Sequence, residues 1–303
     1  MMDFKPVLLS DREWMEPLIK AGNMDACIYN FTTIFIWQDS ALARAVRMND
    51  YLVVKYGCES DRVYYGYPMG HGDVRPVLEA MMEDAGANGS HFVIGGILPE
   101  QQAVLESLWP GHFRFTENRN NWDYIYSLDK LIDLGGKKLH GKRNHIARFK
   151  DEGDWSYEEI TRENLEECWQ MNLEWCRQNG CGKDPSLESE SCAVRCAFKN
   201  YWALGLEGGL LRKGGRVIAF TMGEPLNSDT YVSHIEKAFG EIQGAYPMIN
   251  QQFAMQIRAK HPEMLFVNRE EDTGDEGLRK AKLSYIPDKM AHRDLARWYD
   301  KIL

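Results

Sequence analysis

The chain has 303 residues, of which 44% are apolar and 27% charged, and its formal net charge is −9. This length allows two domains of ordinary size, and the composition excludes a disordered or fibrous chain. The negative balance excludes general binding to polyanions, so any contact with nucleic acid requires a local basic patch.

The sequence indicates neither membrane insertion nor a disulfide framework. No apolar run approaches the ~18 residues that a spanning helix requires, and the start MMDFKPVLLSDREW lacks the apolar segment of a signal peptide. The seven cysteines form no C-x-x-C motif, and no histidine lies at zinc-finger spacing from them. We therefore expect a cytoplasmic protein with reduced, structural thiols and no metal site.

The first half is predicted to begin with a helix, because Ser10 and Glu13 have capping-box spacing. Short β-branched and aromatic runs then predict strands, with helices between and after them. In chain order these are the strands YLVVKYG and RVYYGYPMG, the helix DVRPVLEAMMEDAG, the strand HFVIGG, the helix LPEQQAVLESLWP and the strand WDYIYSL.

The second half repeats this order at a spacing of about 150 residues, which indicates an internal duplication. It starts with a helix capped by Thr161 and continues with a hairpin that turns at Lys213-Gly214-Gly215. The strand TYVSHIEKAF, the helix GAYPMINQQFAMQIRAK, the strand MLFVNRE and the short helix EGLRKAKLSY follow.

Between the halves, residues 137–150 contain six Lys/Arg, two His and no acid. One interpretation is an amphipathic linker helix that packs through Leu139, Ile146 and Phe149 and leaves its charges in solvent. The other is a basic patch that also binds a phosphate-rich substrate. The sequence leaves both open.

The strand, turn and helix in HIEKAFGEIQGAYPMINQQFA resemble the GNAT acyltransferase fold, in which backbone amides at the helix start hold the pyrophosphate of acyl-CoA. For a CoA donor, this resemblance implies a cofactor site at Ala238, Gly240, Gly244, Ala245 and Tyr246. Three residues depart from the GNAT pattern: the acid Glu241, the bulky Tyr246 and Pro247, which lacks an amide donor.

A second resemblance is more specific. The stretches GKRNHIARFK, HIEKAF, YPMINQQFA and NREEDTGDEGLRKAKLSYIP are similar to the C-terminal domain of phosphatidylglycerol lysyltransferases, a family similar to Fem-type aminoacyl-tRNA-dependent transferases. The hallmark is a Leu-Arg-x-x-Lys run followed by an aromatic residue and a proline, here Leu278, Arg279, Lys282, Tyr285 and Pro287.

This resemblance implies an α/β (α+β) fold of two tandem GNAT-like domains with mixed central sheets. We expect an N-terminal domain at 1–136, a basic linker helix at 137–150, and a C-terminal domain at 151–303 that carries the active site. The implied activity is transfer of an aminoacyl group from an aminoacyl-tRNA donor to an amine or hydroxyl acceptor, which is a small molecule, a lipid head group or a peptide. Two alternatives remain: a CoA-dependent N-acyltransferase and a catalytically inactive binding module.

The active site is expected where strand 264–269 ends in a block of charge, because α/β sheets bind ligands at such strand ends. We predict that Lys282 stabilises the oxyanion, with Glu236 and Glu270 as the other catalytic residues. The predicted substrate-binding residues are Lys142, Arg143, His234, Asn268, Arg269, Asp272, Arg279 and Tyr285. The alternatives are that these charges only neutralise one another at the surface and that His234 is structural.

Overall fold

The computed structural model describes residues 2–58, 60, 62–183 and 185–299. These residues form two compact units. The first contains the chain up to Asp123 together with Glu271–Glu276 and the residues from Met290 onward, and the second contains Tyr124–Glu270 and Gly277–Lys289.

The first unit is a mixed sheet with helices against it. After a 3-10 turn at Leu9–Asp11, its elements are α1 (Arg12–Lys20), α2 (Phe31–Trp37), β1 (Arg44–Met48), β2 (Tyr51–Tyr56), β3 (Tyr64–Gly66), β4 (Met69–Gly70), α3 (Arg75–Ala87), β5 (Val93–Ile97), α4 (Pro99–Leu108) and β6 (Phe113–Thr116). The core includes Val53, Tyr65, Leu78, Met81 and Ile94, all fully buried.

The following elements build the second unit and the end of the chain. They are β7 (Asp123–Ser127), α5 (Leu128–Asp133), α6 (His140–Asp151), β8 (Trp155–Glu159), α7 (Leu165–Asn179), α8 (Pro185–Lys199), β9 (Glu207–Lys213), β10 (Arg216–Pro225), β11 (Thr230–Ala238), α9 (Ala245–Lys260), β12 (Phe266–Asn268), α10 (Glu276–Leu283), β13 (Lys289–Ala291) and β14 (Asp294–Trp298).

Each sheet contains a parallel pair joined by a helix. The first sheet has the order β1-β2-β3-β5-β14-β6 with β4 beside β2, and the second has the order β13-β7-β12-β11-β10-β9-β8. In the first, β3 runs parallel to β5 across α3, and in the second, β11 runs parallel to β12 across α9. The repeated strand–helix–strand element confirms the predicted fold class of two mixed sheets.

The unit boundaries differ from the predicted ranges of 1–136, 137–150 and 151–303. Strand β7 pairs with β12, so the second unit begins at Tyr124 and includes the basic helix α6. The C-terminal strand β14 pairs with β5 and β6, so the chain returns to the first unit. Alternation of apolar residues predicts a strand but does not specify which sheet edge it joins, and this is why the ranges differ.

The prediction of reduced thiols throughout is wrong for one pair. Cys176 lies in the last turn of α7, and Gly180 ends that helix at a left-handed φ of 72°. The chain therefore turns back and Cys181 forms a disulfide with Cys176, with Cα atoms 5.1 Å apart. Cys27, Cys58, Cys168, Cys192 and Cys196 are free. Within the described part of the chain, none of the helices has the length and apolar character needed to cross a bilayer.

Candidate active site of the second unit

The parallel strands β11 and β12 pair over only three residues. The ladder joins Thr230 to Phe266, Tyr231 to Val267 and Val232 to Asn268. Strand β11 continues to Ala238 along β10, whereas β12 ends at Asn268. A gap therefore opens beside the second half of β11, and we call it the β11–β12 gap. Charged side chains from β11 and from the residues that follow β12 lie across it.

A β-bulge at His234 determines which side chains enter this gap. Ser233 is opposite Gly223 and Ile235 is opposite Met222, so His234 is the extra residue of β11. The bulge shifts the alternation, and Glu236 consequently contacts Asn250 on α9. Alternation along an unbroken strand would place His234 and Glu236 on one face of the sheet, and the bulge between their pairing partners breaks that alternation.

His234 is held between two carboxylates. Its Nε2 lies 3.2 Å from Glu224 Oε1 and its Nδ1 lies 3.0 Å from Glu270 Oε1, and the ring is almost fully buried. Burial alone would lower the pKa of His234, but the hydrogen bonds to Glu224 and Glu270 outweigh it and raise the pKa to about 9. The ring is therefore a buried imidazolium at neutral pH.

Glu270 reaches His234 from a strained backbone. Its φ is 56°, the left-handed region that a residue with a side chain seldom adopts. The side chain of buried Asn268 accepts from the Glu270 amide at 2.7 Å. Lys282 Nζ donates to the carbonyl oxygens of Arg269 at 2.6 Å and Glu270 at 3.2 Å. Asn268 and Lys282 therefore stabilise the turn that directs Glu270.

Glu236 and Arg269 form the other charged pair of the gap. Arg269 Nη2 donates to Glu236 Oε1 at 2.7 Å, and Asn250 Nδ2 donates to Glu236 Oε2 at 3.1 Å. Because a carboxylate only accepts, these contacts fix the orientation of the Asn250 amide. Arg269 Nη1 and Asn250 Oδ1 are buried and have no hydrogen-bond partner among the residues that the structure describes.

Two tyrosines and Lys142 line the space around Arg269. The guanidinium lies 4.9 Å from the ring centroid of Tyr285 and 5.7 Å from that of Tyr126. Lys142 Nζ enters from α6 and lies 4.2 Å from the Tyr285 ring centroid. Burial and the Arg269 charge lower the pKa of Lys142, and Glu236 opposes them. Burial also raises the pKa of Tyr285, so its hydroxyl remains protonated.

The structure therefore brings together most of the predicted site residues in the second unit. Lys142, His234, Glu236, Arg269, Glu270 and Tyr285 line the β11–β12 gap, and Asn268 and Lys282 hold its turn. Glu224, Asn250 and Tyr126 were missed. Asn250 was detectable as a polar residue on the apolar face of α9, whereas nothing in the sequence distinguishes Glu224 or Tyr126.

Two predicted substrate-binding residues, Arg143 and Asp272, contact groups outside the β11–β12 gap. Arg143 Nη1 donates to the carbonyls of Leu134 and Gly136, where it caps the chain after α5. Arg279 is half-buried on α10. Asp272 belongs to the first unit, is fully buried and lies 3.5 Å from Arg119 Nη1. The charge block after β12 is thus divided between the two units.

The start of α9 is closed on one side. Gly244 has a φ of 89°, and a Cβ there would meet the His145 carbonyl of α6 at 2.6 Å. Ala238 and Ala245 are fully buried, Gly240 is exposed, and Tyr246 is partly exposed. Because α6 occupies the space beside Gly244, no side chain fits at that position, and the pyrophosphate site that the GNAT resemblance implies stays a prediction.

One group of potential metal ligands occurs in the described residues, and it belongs to the first unit. Cys27 Sγ and carboxylate oxygens of Asp123 and Glu271 lie within 4.8 Å of one another. Arg293 Nη1 lies 2.7 Å from the sulfur, 2.9 Å from Asp123 and 3.3 Å from Glu271. The guanidinium is a permanent cation at this position, so it offsets one of the two carboxylate charges of the group.

The residues of the β11–β12 gap suit a dipolar acyl group. Arg269 Nη1 is a buried donor available to a carbonyl oxygen, and Lys142 supplies a second nitrogen. The Glu224–His234–Glu270 row places two carboxyl groups on either side of one buried imidazole ring. A carbonyl oxygen beside Arg269 Nη1 and an ammonium group beside the Glu270 carboxylate correspond to the two ends of an aminoacyl group.

Comparison with known families finds one match that covers most of the chain. The model of the phosphatidylglycerol lysyltransferase C-terminal family matches residues 23–296. An uncharacterised protein of Mycoplasmoides gallisepticum is 25% identical over 185 residues, or 59% of this chain. That match spans only 57% of the length of the Mycoplasmoides protein.

Solved structures show the same fold. A conserved protein of unknown function from Bacteroides thetaiotaomicron is 37% identical, with a TM-score of 0.92 over 99% of this chain and 100% of that one. The L-PGS of Bacillus licheniformis is 17% identical, with a TM-score of 0.66 over 99% and 94%. FemX is 11% identical, with a TM-score of 0.62 over 99% and 98%. These likenesses confirm the tandem GNAT-like fold.

Proposed function

The chain belongs to the phosphatidylglycerol lysyltransferase C-terminal family, and from this membership and the β11–β12 gap we propose that it is an aminoacyl transferase. Its donor is an aminoacyl ester of tRNA, and its acceptor is an amine or hydroxyl group. The acyl group occupies the β11–β12 gap of the second unit.

One observation supports this assignment above the others. Arg269 Nη1 and Asn250 Oδ1 are buried polar atoms without a partner among the described residues, and both flank Glu236. Buried polar groups are normally hydrogen-bonded, because an unmade bond costs about 1–3 kcal/mol. A substrate that accepts from Arg269 and donates to Asn250 would supply these bonds. This favours a substrate site over the surface ion-pair network.

The reaction follows from these positions. The acceptor nitrogen or oxygen attacks the ester carbonyl carbon, the new bond forms, and the carbonyl oxygen becomes an oxyanion next to Arg269 Nη1. The intermediate then collapses, the bond to the ribose oxygen breaks, and that oxygen takes a proton. Glu270, fixed by His234, receives the α-ammonium group and orients the carbonyl toward Arg269.

A transfer assay tests the proposal. tRNA charged with a mixture of labelled amino acids is incubated with the protein and with separate acceptor pools of phosphatidylglycerol, small amines and peptides. We expect label to leave the tRNA and appear in one acceptor pool. Arg269→Lys should reduce the rate by about 10²–10³-fold, because a point charge does not replace the Nη1 donor.

A matched control separates this effect from general loss of an arginine. Arg216 is exposed on β10 and pairs with Glu174 at 2.6 Å. Arg216→Lys should transfer at the wild-type rate. Equal rates for Arg269→Lys and Arg216→Lys, or no acceptor-dependent loss of label with any pool, would refute the assignment.

A further inference from the structure

Lys142 is a lysine of the β11–β12 gap whose nitrogen has no oxygen partner among the residues that the structure describes. It lies near the start of α6, its side chain is half-buried, and its Nζ lies over the ring of Tyr285. Within the described ranges it forms no ion pair with a carboxylate. A half-buried amine without an anion is unusual, because burial of a charge is costly unless the charge is paired.

Other buried lysines show the contrast. Lys55 lies 2.7 Å from Asp84, and Lys237 lies 2.6 Å from Glu190. Lys282 donates to two backbone carbonyls. Each of these ammonium groups has a partner that favours the charged form. Lys142 has instead a guanidinium in its vicinity, which disfavours that form.

The charged and titratable groups that face Lys142 come from three segments. Arg269 at the end of β12 and burial lower the pKa of Lys142, and Glu236 on β11 opposes them. Tyr285, after α10, presents its ring face, which favours the charged amine less than a carboxylate partner would. The carboxylate of Glu236 already accepts hydrogen bonds from Arg269 and Asn250, and this limits how far it raises the pKa of Lys142.

The other titratable groups of the gap are unsuited to accept a proton. Both oxygens of Glu236 accept hydrogen bonds, and the carboxylates of Glu224 and Glu270 each bind a ring nitrogen of His234. The Lys282 ammonium donates hydrogen bonds to the backbone carbonyls of Arg269 and Glu270. An aminoacyl transfer nevertheless requires that the attacking amine or hydroxyl lose a proton. Lys142 is the remaining basic group that the geometry leaves available.

We propose that Lys142 is the general base of the aminoacyl transfer, a role that rests on the proposed function. Its lone pair takes the proton of the attacking amine or hydroxyl as the new bond to the carbonyl carbon forms. The resulting ammonium stabilises the adjacent oxyanion. When the ester C–O bond breaks, the ammonium returns that proton to the leaving ribose oxygen and becomes neutral again. The proton balance closes without any other reactant.

Direct titration of Lys142 tests the base without an activity assay. Lysine amines are dimethylated with ¹³C-labelled formaldehyde, and the NMR signal of Lys142 is assigned by its absence in Lys142→Arg. We expect this signal to titrate below the ordinary lysine value of about 10.4. In Arg269→Met, which removes the neighbouring cation, the same signal should titrate at higher pH. A Lys142 signal that titrates at or above the ordinary value would overturn the proposal.

Kinetics of two variants test the proton transfer itself. Lys142→Arg retains a cation but not a base, so turnover should fall by about 10²–10⁴-fold while the KM for the donor changes little. Lys142→Cys treated with bromoethylamine carries a less basic amine at the same position. Its activity should be restored, and the acid limb of its pH–rate profile should move to lower pH.

Two controls accompany these variants. Wild-type protein treated with bromoethylamine measures the effect on other cysteines, and Lys199→Arg, exposed on α8, measures the effect of an ordinary Lys-to-Arg change. Wild-type turnover in Lys142→Arg, with transfer intact, would overturn the role of Lys142 and leave the proposed function standing. A complete lack of transfer in wild-type protein would overturn both.

Discussion

Lys282 Nζ donates to the carbonyl oxygen of Glu270 at 3.2 Å, and Glu270 has a φ of 56°. The hydrogen bond therefore stabilises a backbone conformation that is otherwise unfavourable by about 1–3 kcal/mol. The ammonium also donates to the Arg269 carbonyl at 2.6 Å. The sequence predicted Lys282 as an electrostatic catalyst, whereas these contacts indicate a positioning residue that aims Glu270 at His234.

The first prediction is that Lys282→Met destabilises the protein. The change leaves two carbonyls without their donor, so the free energy of unfolding should fall by about 1–3 kcal/mol. Chemical denaturation measures this. Lys280, exposed on the same helix, provides the control, and Lys280→Met should stay within about 0.5 kcal/mol of wild type. Equal stability of the two variants would show that Lys282 does not hold the turn.

The second prediction concerns pH and the row Glu224–His234–Glu270. The folded pKa of His234 is about 9, above its ordinary value of 6.5. The proton is therefore bound more tightly in the folded state, so this stabilisation is fully present below pH 6.5 and is lost as the pH rises through about 9. This stabilisation is on the order of 3 kcal/mol. Denaturation midpoints should fall across this window.

The comparison for this prediction is Glu270→Gln, which removes one carboxylate partner of His234. The fall in midpoint between pH 6.5 and about 9 should be smaller in this variant, because less stabilisation depends on the imidazolium. A wild-type midpoint that stays flat or rises over the window would contradict the assignment of a charged His234.

The third prediction is a double-mutant cycle on Glu236 and Arg269. Each single change, Glu236→Leu or Arg269→Met, leaves an uncompensated charge in a largely buried place and should cost about 3–5 kcal/mol of stability. The double variant removes both charges and should lose less than the sum of the two. Additive losses in chemical denaturation would mean that the pair is not coupled in the folded protein.

The fourth prediction concerns the outer surface of the basic segment. Lys137, Lys138 and Arg148 are exposed and form no ion pair within the described part of the chain. If they bind the phosphates of the donor tRNA, replacing all three with Gln should weaken binding. The slope of log K against log salt should become shallower by about 0.7–0.9 for each phosphate that is no longer neutralised. Filter binding of uncharged tRNA measures this without the chemical step.

The matched control for this surface is Arg195→Gln with Lys199→Gln. Both residues are exposed on α8 of the same unit. Their replacement should leave the salt slope unchanged. An equal loss of affinity for tRNA in both sets of variants would indicate general electrostatic attraction instead of a docking surface. If neither set lost affinity, the tRNA would not bind at the outer surface of the basic segment.

Local patterns predicted much of the fold. The hairpin turns at Gly214 and Gly215, which both have positive φ, because few other residues adopt that conformation. Ile146 and Phe149 are buried beneath the basic helix, as their helical spacing predicted. These features depend on residues close together in the chain. The return of β14 to the first sheet depends on pairing with strands almost 200 residues away, which no local pattern encodes.

Most of the predicted site residues lie around the end of β12, but the sequence does not indicate what each side chain contacts. The sequence does not distinguish Lys142 from Lys282, because both are lysines. In the structure, the Lys142 amine lies over the ring of Tyr285, whereas the Lys282 amine donates to backbone carbonyls. The bulge at His234 has no sequence signal, yet it determines that Glu236 contacts α9. Arg143 was predicted to bind the substrate, and in the structure its guanidinium donates to the backbone carbonyls of Leu134 and Gly136.

The central claim is that the β11–β12 gap binds the aminoacyl end of the donor. A crystal structure with a non-hydrolysable donor analogue, 3′-aminoacylamino-3′-deoxyadenosine, tests this most directly. The account predicts the carbonyl oxygen of the analogue at hydrogen-bond distance, about 2.7–3.2 Å, from Arg269 Nη1. It also predicts the α-ammonium beside Glu270. An analogue that binds outside the gap, with Arg269 Nη1 still lacking a partner, would contradict it.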